Sequence, residues 1–225
     1  MATAEKAPAA QRFLLYGVPW QTYLALRDVP ENYHVRMTYD RGSLEMMSPS
    51  KRHEQFGYLL ARLIDAWSEE LQVDIQGCGT MTCSREDLEK GFEPDKCYYV
   101  AHEALMRQKA ELDLAIDPPP DLAVEIEVTR KSIAKMPLYA AFGVPEVWRY
   151  DGRSLQVFEL SAEGQYVPRE SSLSLPGLPI AEVERVLRQM GTASETALVR
   201  SFRDWVRKEV VPKLQGGHDG PGQTP

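Results

Sequence analysis

Cysteine is scarce in this chain. Its three copies, Cys78, Cys83 and Cys97, are odd in number and scattered, which argues against a disulfide framework. A reducing compartment is therefore expected, and with it a cytoplasmic location. No run of eighteen apolar residues occurs, so no segment is read as spanning a membrane. The opening residues, MATAEKAPAAQRF, carry no long apolar stretch behind their early lysine, and no secretory signal is read there. Positive charge is also in deficit. The 26 Lys and Arg face 33 Asp and Glu, for a net charge of −7 and a pI near 5.2. That balance argues against gripping nucleic acid through a broad basic face, a mode that needs many cations on phosphates. It leaves open nucleic acid held through metal ions at a small site.

What is present suits a globular fold. Hydrophobic residues make up 43% of the 225, enough for a core, and the length predicts one main domain. Residues 1–11 are small and Ala-rich, and 214–225 are Gly, Pro and polar, so both ends are expected to be disordered. Between them the reading is a domain over 12–190 and a C-terminal helix over 191–213. A hairpin is predicted from strand formers at 33–39 and 43–47 around the turn Asp40-Arg41-Gly42. Ser48-Pro49-Ser50 then starts a helix in which Phe56, Leu60, Leu63, Trp67 and Leu71 form one stripe. Further strands are predicted at 73–75, 79–83, 95–100, 122–128, 146–150 and 155–160. Helices are predicted at 132–142, ending on Gly143, and at 180–190 and 194–211. The order implies a mixed α/β (α+β) domain, its central sheet covered by the long helix and the helix near residue 138.

Acidic residues are grouped where strands begin or run. In Asp121-Leu-Ala-Val-Glu-Ile-Glu-Val128, alternation puts Asp121, Ala123, Glu125 and Glu127 on one face. Such neighbours sit about 7 Å apart, within reach of a shared cation. The plain alternative is a wet, charged strand face, against which stands the mutual repulsion of the carboxylates. Glu93-Pro94-Asp95 precedes another strand, where Asp95 either supplies a ligand or ends a turn. His53 falls on the apolar stripe at the N-terminus of the long helix, a place for a core histidine or for one facing a bound anion. Lys135 alone would read as surface. Together these residues suggest a Mg²⁺-dependent phosphodiesterase, since Mg²⁺ takes carboxylate oxygens, waters and a phosphate oxygen.

Four stretches, GSLEMMSPSKRHEQ (42–55), EPDKCYYV (93–100), PPPDLAVEIEVT (118–129) and PLYAAFGVPEVWRYDG (137–152), give the chain a resemblance to a family. It resembles the Uma-type restriction endonuclease family of the PD-(D/E)XK nuclease superfamily. That resemblance implies a restriction-endonuclease-like core, a mixed sheet flanked by helices, and an endonuclease acting on phosphodiester bonds with Mg²⁺, or Mn²⁺ in its place. The implied partner is nucleic acid, DNA before RNA. Asp95 matches the first acid of the motif and Glu125 the second. Glu127 stands where the motif has lysine, a departure that makes it a further candidate ligand and leaves the cation to Lys135. Glu45 and His53 match the positions preceding the family's first helix. The catalytic set implied is thus Asp95, Glu125, Glu127, Lys135, His53 and Glu45, with Asp95, Glu125 and Glu127 as metal ligands. The alternative, favoured by Glu127 and the acidic charge, is an inactive nuclease-fold module that binds nucleic acid or regulates. A zinc or thiol site at Cys78, Cys83, Cys97 and His102 lacks a second close pair. The basic, half-apolar segment 197–213 is expected to dock on the domain or on a second copy in a homodimer.

Overall fold

A computed structural model describes residues 11–128 and 132–216; the expected disordered ends lie almost wholly outside that range. In chain order the first half holds β1 (Gln11–Leu15), α1 (Trp20–Arg27), β2 (Arg36–Asp40), β3 (Ser43–Ser48), α2 (Lys51–Leu71), β4 (Gln76–Gly79), β5 (Cys83–Arg85), β6 (Lys90–Phe92) and β7 (Lys96–Tyr99). There follow α3 (Glu103–Met106), β8 (Leu122–Ile126), α4 (Met136–Phe142), β9 (Glu146–Tyr150), β10 (Leu155–Leu160), β11 (Tyr166–Arg169), α5 (Ile180–Arg188) and α6 (Glu195–Trp205). A π-helical stretch, Val206–Val210, joins α6 to α7 (Val211–Gly216). One sheet is antiparallel, in the order β1-β3-β2-β6-β5. The other runs β11-β10-β9-β8-β7-β4 and is mixed, because β8 and β9 pair in parallel. The expected α+β architecture is what forms.

The β2–β3 hairpin turns through Arg41 and Gly42 at φ 44° and 89°. Two positive φ values match the twist of the flanking strands, and Arg41 N–H is tied to Glu89 O at 3.0 Å. Helix α2 starts where Ser50 Oγ accepts from His53 N–H at 3.3 Å. Its stripe, Phe56, Leu60, Leu63 and Trp67, is buried against Leu122, Val124, Ile126, Trp148 and Tyr150. Each such side chain contributes roughly 1.5–3 kcal/mol by burial. On the other face of β8 and β9, Leu138, Tyr139 and Phe142 of α4 pack on Ala123 and Val147. β8 is therefore buried on both sides, and its acidic face is not the wet one that alternation allowed. The C-terminal segment docks on its own domain: Leu198, Phe202 and Val206 join the core, while Arg203 reaches Glu69 at 2.5 Å and Arg207 reaches Glu70 at 2.6 Å.

Some elements differ from expectation for identifiable reasons. The strands predicted at 73–75 and 79–83 form three to four residues later. Gln72 at φ 55° and the bond from Val73 N–H to Ser68 O first wrap the end of α2. Helix α4 begins at Met136 instead of 132, because the N–H groups of Ser132 and Ile133 donate to Glu45 Oε2 (2.7 and 3.3 Å). β1, α1, β6 and β11 had no sequence signal strong enough to predict.

The antiparallel sheet carries an aromatic cluster of Trp20, Tyr23 and Tyr39, the two tyrosine rings stacked 4.9 Å apart. Gly91, paired with Tyr39, is fitted to it. A Cβ there would lie 2.2 Å from Tyr23 Oη and 2.6 Å from Cζ, and Tyr23 is fully buried. Gly91→Ala is expected to destabilise by about 1–3 kcal/mol through overpacking. Gly77→Ala, whose Cβ meets nothing nearer than 3.5 Å, is the control. Equal urea midpoints for the two variants would contradict this reading.

Candidate active site

β7 and β8 run antiparallel with Lys96 opposite Val124 and Cys97 opposite Ala123. Carried one residue outward, that register sets Asp95 across from Glu125. Asp95 N–H donates to Val124 O at 3.1 Å, continuing the ladder. Its Oδ2 accepts from Ile126 N–H at 2.7 Å and meets His53 Nε2 at 3.1 Å. Asp95, Glu125 and His53 are all buried. The helical stripe thus delivers His53 to a carboxylate and not merely to the core. Its Nδ1 lies 3.5 Å from Glu54 Oε1. Burial alone would lower the imidazole, but the hydrogen bond to Asp95 and the nearby Glu54 carboxylate outweigh it and raise the pKa to about 9.

Glu125, 1% exposed, projects toward α4. Its Oε1 accepts from Lys135 Nζ at 2.9 Å and from the Tyr139 hydroxyl. Lys135 Nζ also donates to Glu93 O at 2.6 Å, so the ammonium bridges the strand before Asp95 and the strand bearing Glu125. Burial, then the Glu125 charge, hold the Tyr139 hydroxyl protonated, well above its ordinary range. Tyr139 was not among the predicted site residues, although it lies one helical turn after Lys135, the N-cap of α4. Burial likewise raises the Glu93 carboxyl, which lies beside a 580 Å³ polar hollow that Arg27 and Ser84 also line.

The other candidates are placed elsewhere. Glu45 pairs with Arg12 at 2.5 Å through Oε1, while Oε2 holds the backbone of Ser132 and Ile133. It fastens the segment leading to Lys135. Glu127 lies past the end of β8, and its Oε2 accepts from Arg149 Nε and an Arg149 terminal nitrogen at 3.1 and 2.5 Å. Asp121 sits at the opposite end of β8, accepting from Val100 N–H at 2.7 Å and His102 N–H at 3.0 Å. Among the described residues no group of three or more His, Cys, Asp and Glu is gathered closely enough to hold a metal ion. The structure forms two pairs on neighbouring strands, Asp95 with His53 and Glu125 with Lys135, while Glu127 and Glu45 are engaged by Arg149 and Arg12.

A mixed sheet between helices, with paired acids on adjacent strands and a lysine held against one of them, defines a protein of the restriction-endonuclease-like class. The family model described as "Uma2: Putative restriction endonuclease" matches residues 20–195, from the start of α1 to the start of α6. The chain belongs to the Uma2 family. No curated protein matches it. None of the described helices is long and apolar enough to cross a membrane.

Proposed function

We propose that this protein is a Mg²⁺-dependent endonuclease that hydrolyses phosphodiester bonds in nucleic acid, DNA before RNA. The observation that carries this reading is the Lys135 ammonium, 2.9 Å from the buried Glu125 carboxylate on the strand beside Asp95. The family description supports the substrate class. The donor set fits Mg²⁺: two carboxylates with hard oxygens, from adjacent strands, are the one or two this ion takes from protein while substrate and water complete its shell. Asp95 and Glu125 would hold it. Glu127 would join only by giving up Arg149. When bound, the ion would lower the pKa of a water and offset charge on the phosphoryl oxygens.

The chain's own groups do the rest. Lys135 sets a fixed positive charge where negative charge builds on phosphorus. Its tie to Glu93 O keeps it from collapsing wholly onto Glu125. His53 and Ile126 N–H hold Asp95 in one orientation, and Tyr139 does the same for Glu125. With Lys135 supplied from α4, the unusual Glu127 does not deprive the site of its cation.

The test is nicking of plasmid and digestion of single-stranded DNA and RNA with Mg²⁺, with Mn²⁺ and with EDTA. Cleavage that needs either ion is expected. Cleavage that survives EDTA would overturn the metal-dependent reading. Binding without cleavage under any metal would establish the inactive module instead.

A further inference from the structure

Outside the acid cluster, a cleft of 340 Å³ lies between the start of α2, the end of β9 and the end of α5. Arg52, Arg153 and Arg188 line it over a floor that includes Phe56 and Met190. At its base is Tyr150, fully buried, whose hydroxyl has no hydrogen-bond partner among the described residues. A buried, unanswered hydroxyl costs roughly 1–3 kcal/mol, so its retention points to an absent acceptor. Burial pushes this phenol up, so at neutral pH it keeps a proton to donate.

The surrounding charges point the same way. Arg52 is held over the Phe56 ring, 5.5 Å from its centroid, and Phe56 packs edge-on to Tyr150 at 4.9 Å. Neither Arg52 nor Arg153 has an ion-pair partner among the described residues. The nearby acids are engaged: Asp151 Oδ1 accepts the backbone N–H groups of Arg153 and Ser154, both at 2.8 Å. Glu184 accepts from Leu155 N–H at 2.8 Å and pairs with Arg188. In a chain of net charge −7 this is a local excess of guanidinium beside the N-terminus of a 21-residue helix. A second hollow of 310 Å³ shares Arg52, Gly152 and Arg153 and continues along that N-terminus.

We infer that this cleft binds a second phosphodiester group of the nucleic-acid strand, away from the one cleaved, with Tyr150 and the guanidinium groups donating to its oxygens. Arginine forks fit phosphate oxygens in pairs, and the apolar floor suits the attached nucleoside. The cleft lies at the carboxyl ends of β8 and β9. Tyr150 O accepts Glu127 N–H at 2.7 Å there, at the same end of β8 as Glu125. A strand held at the acids would continue into it. The inference takes the strand's identity from the nuclease reading, but not its chemistry.

The experiment is binding of a short fluorescent single-stranded oligonucleotide to the full chain in EDTA, read by anisotropy across a salt series. The variants are Arg52→Gln/Arg153→Gln and Tyr150→Phe. The double variant is expected to bind about tenfold more weakly, its log–log salt slope reduced by about 1.4 for two lost contacts on a single strand. Tyr150→Phe should bind about threefold more weakly while its melting temperature holds or rises, since it deletes an unsatisfied hydroxyl. Arg169→Gln, an arginine paired with Glu159 and outside the cleft lining, should bind as the parent does, and reading binding in EDTA separates this result from any outcome of the cleavage assay. Unchanged affinity and slope in both cleft variants, or no binding by the parent, would overturn the inference. So would variant-sensitive binding of inorganic phosphate alone with oligonucleotide binding unaffected.

Discussion

Asp95→Asn and Glu125→Gln proteins should each cleave DNA at least about a thousandfold more slowly than the parent, and Lys135→Met about a hundredfold or more. These substitutions preserve shape. Asparagine at 95 can still accept from Ile126 N–H, and glutamine at 125 can still accept from Lys135 and Tyr139, so the fold should survive. What each removes is charge at one point. Tyr139→Phe takes away a hydroxyl that orients Glu125, and a loss of about tenfold is expected, as for other groups that position a ligand. Glu127→Gln should cost less than any of these, because Glu127 is tied to Arg149. Groups that act as a unit are not additive. The double variant Glu125→Gln/Lys135→Met should therefore be about as slow as the slower single variant. Initial rates on plasmid, with melting temperatures in parallel, check the series. An Asp95→Asn protein within threefold of the parent would remove the acids from the chemistry, whatever the family.

The legible parts of this fold were those with a long or repetitive signal. The stripe Phe56, Leu60, Leu63 and Trp67 gave α2, and β-branched and aromatic runs gave β9 and β10 with their observed bounds. Alternation put Glu125 on a face, and the helix near residue 138 was expected over the sheet, but nothing in the pattern said which of the two helices would lie over Glu125. That burial depends on Tyr139 and Phe142 packing from a helix more than ten residues downstream. The same blindness applies to Glu127: alternation kept it beside Glu125, whereas β8 ends at Ile126 and Arg149 of the neighbouring strand captures it. Lys135 alone reads as surface, and only its grouping with the acids and the resemblance to the family made it a site residue, since its contact with Glu125 spans a loop. Short elements such as β6, three residues long, exist through pairing and carry too few residues to show a period. The arginines at 52, 153 and 188 come from three separate elements, and no spacing rule links them.

Metal-free protein should lose stability as pH rises from about 6.5 to beyond 9, by about 3 kcal/mol, and a His53→Gln variant should not show that loss. The source is the buried pair of His53 with Asp95, 3.1 Å apart, with Glu54 on the other ring nitrogen. Burial works against the imidazolium, but the two carboxylates carry its pKa from 6.5 to about 9. The folded chain therefore holds a proton that the unfolded chain releases first. Its contribution is fully present below about pH 6.5 and is lost through about 9, at about 1.4 kcal/mol per pH unit. Glu54 is held below its ordinary range chiefly by the bond to His53, then by Arg36 and Lys96, and titrates well under this window. Cys78 is also lowered from its ordinary value, by Cys97. The difference between parent and variant cancels that contribution, which is why both must be measured. Urea midpoints in EDTA at pH 6, 8 and 9.5 suffice. Parallel pH profiles would mean that His53 is neutral in the folded chain and that it anchors Asp95 as a plain donor, without a charge.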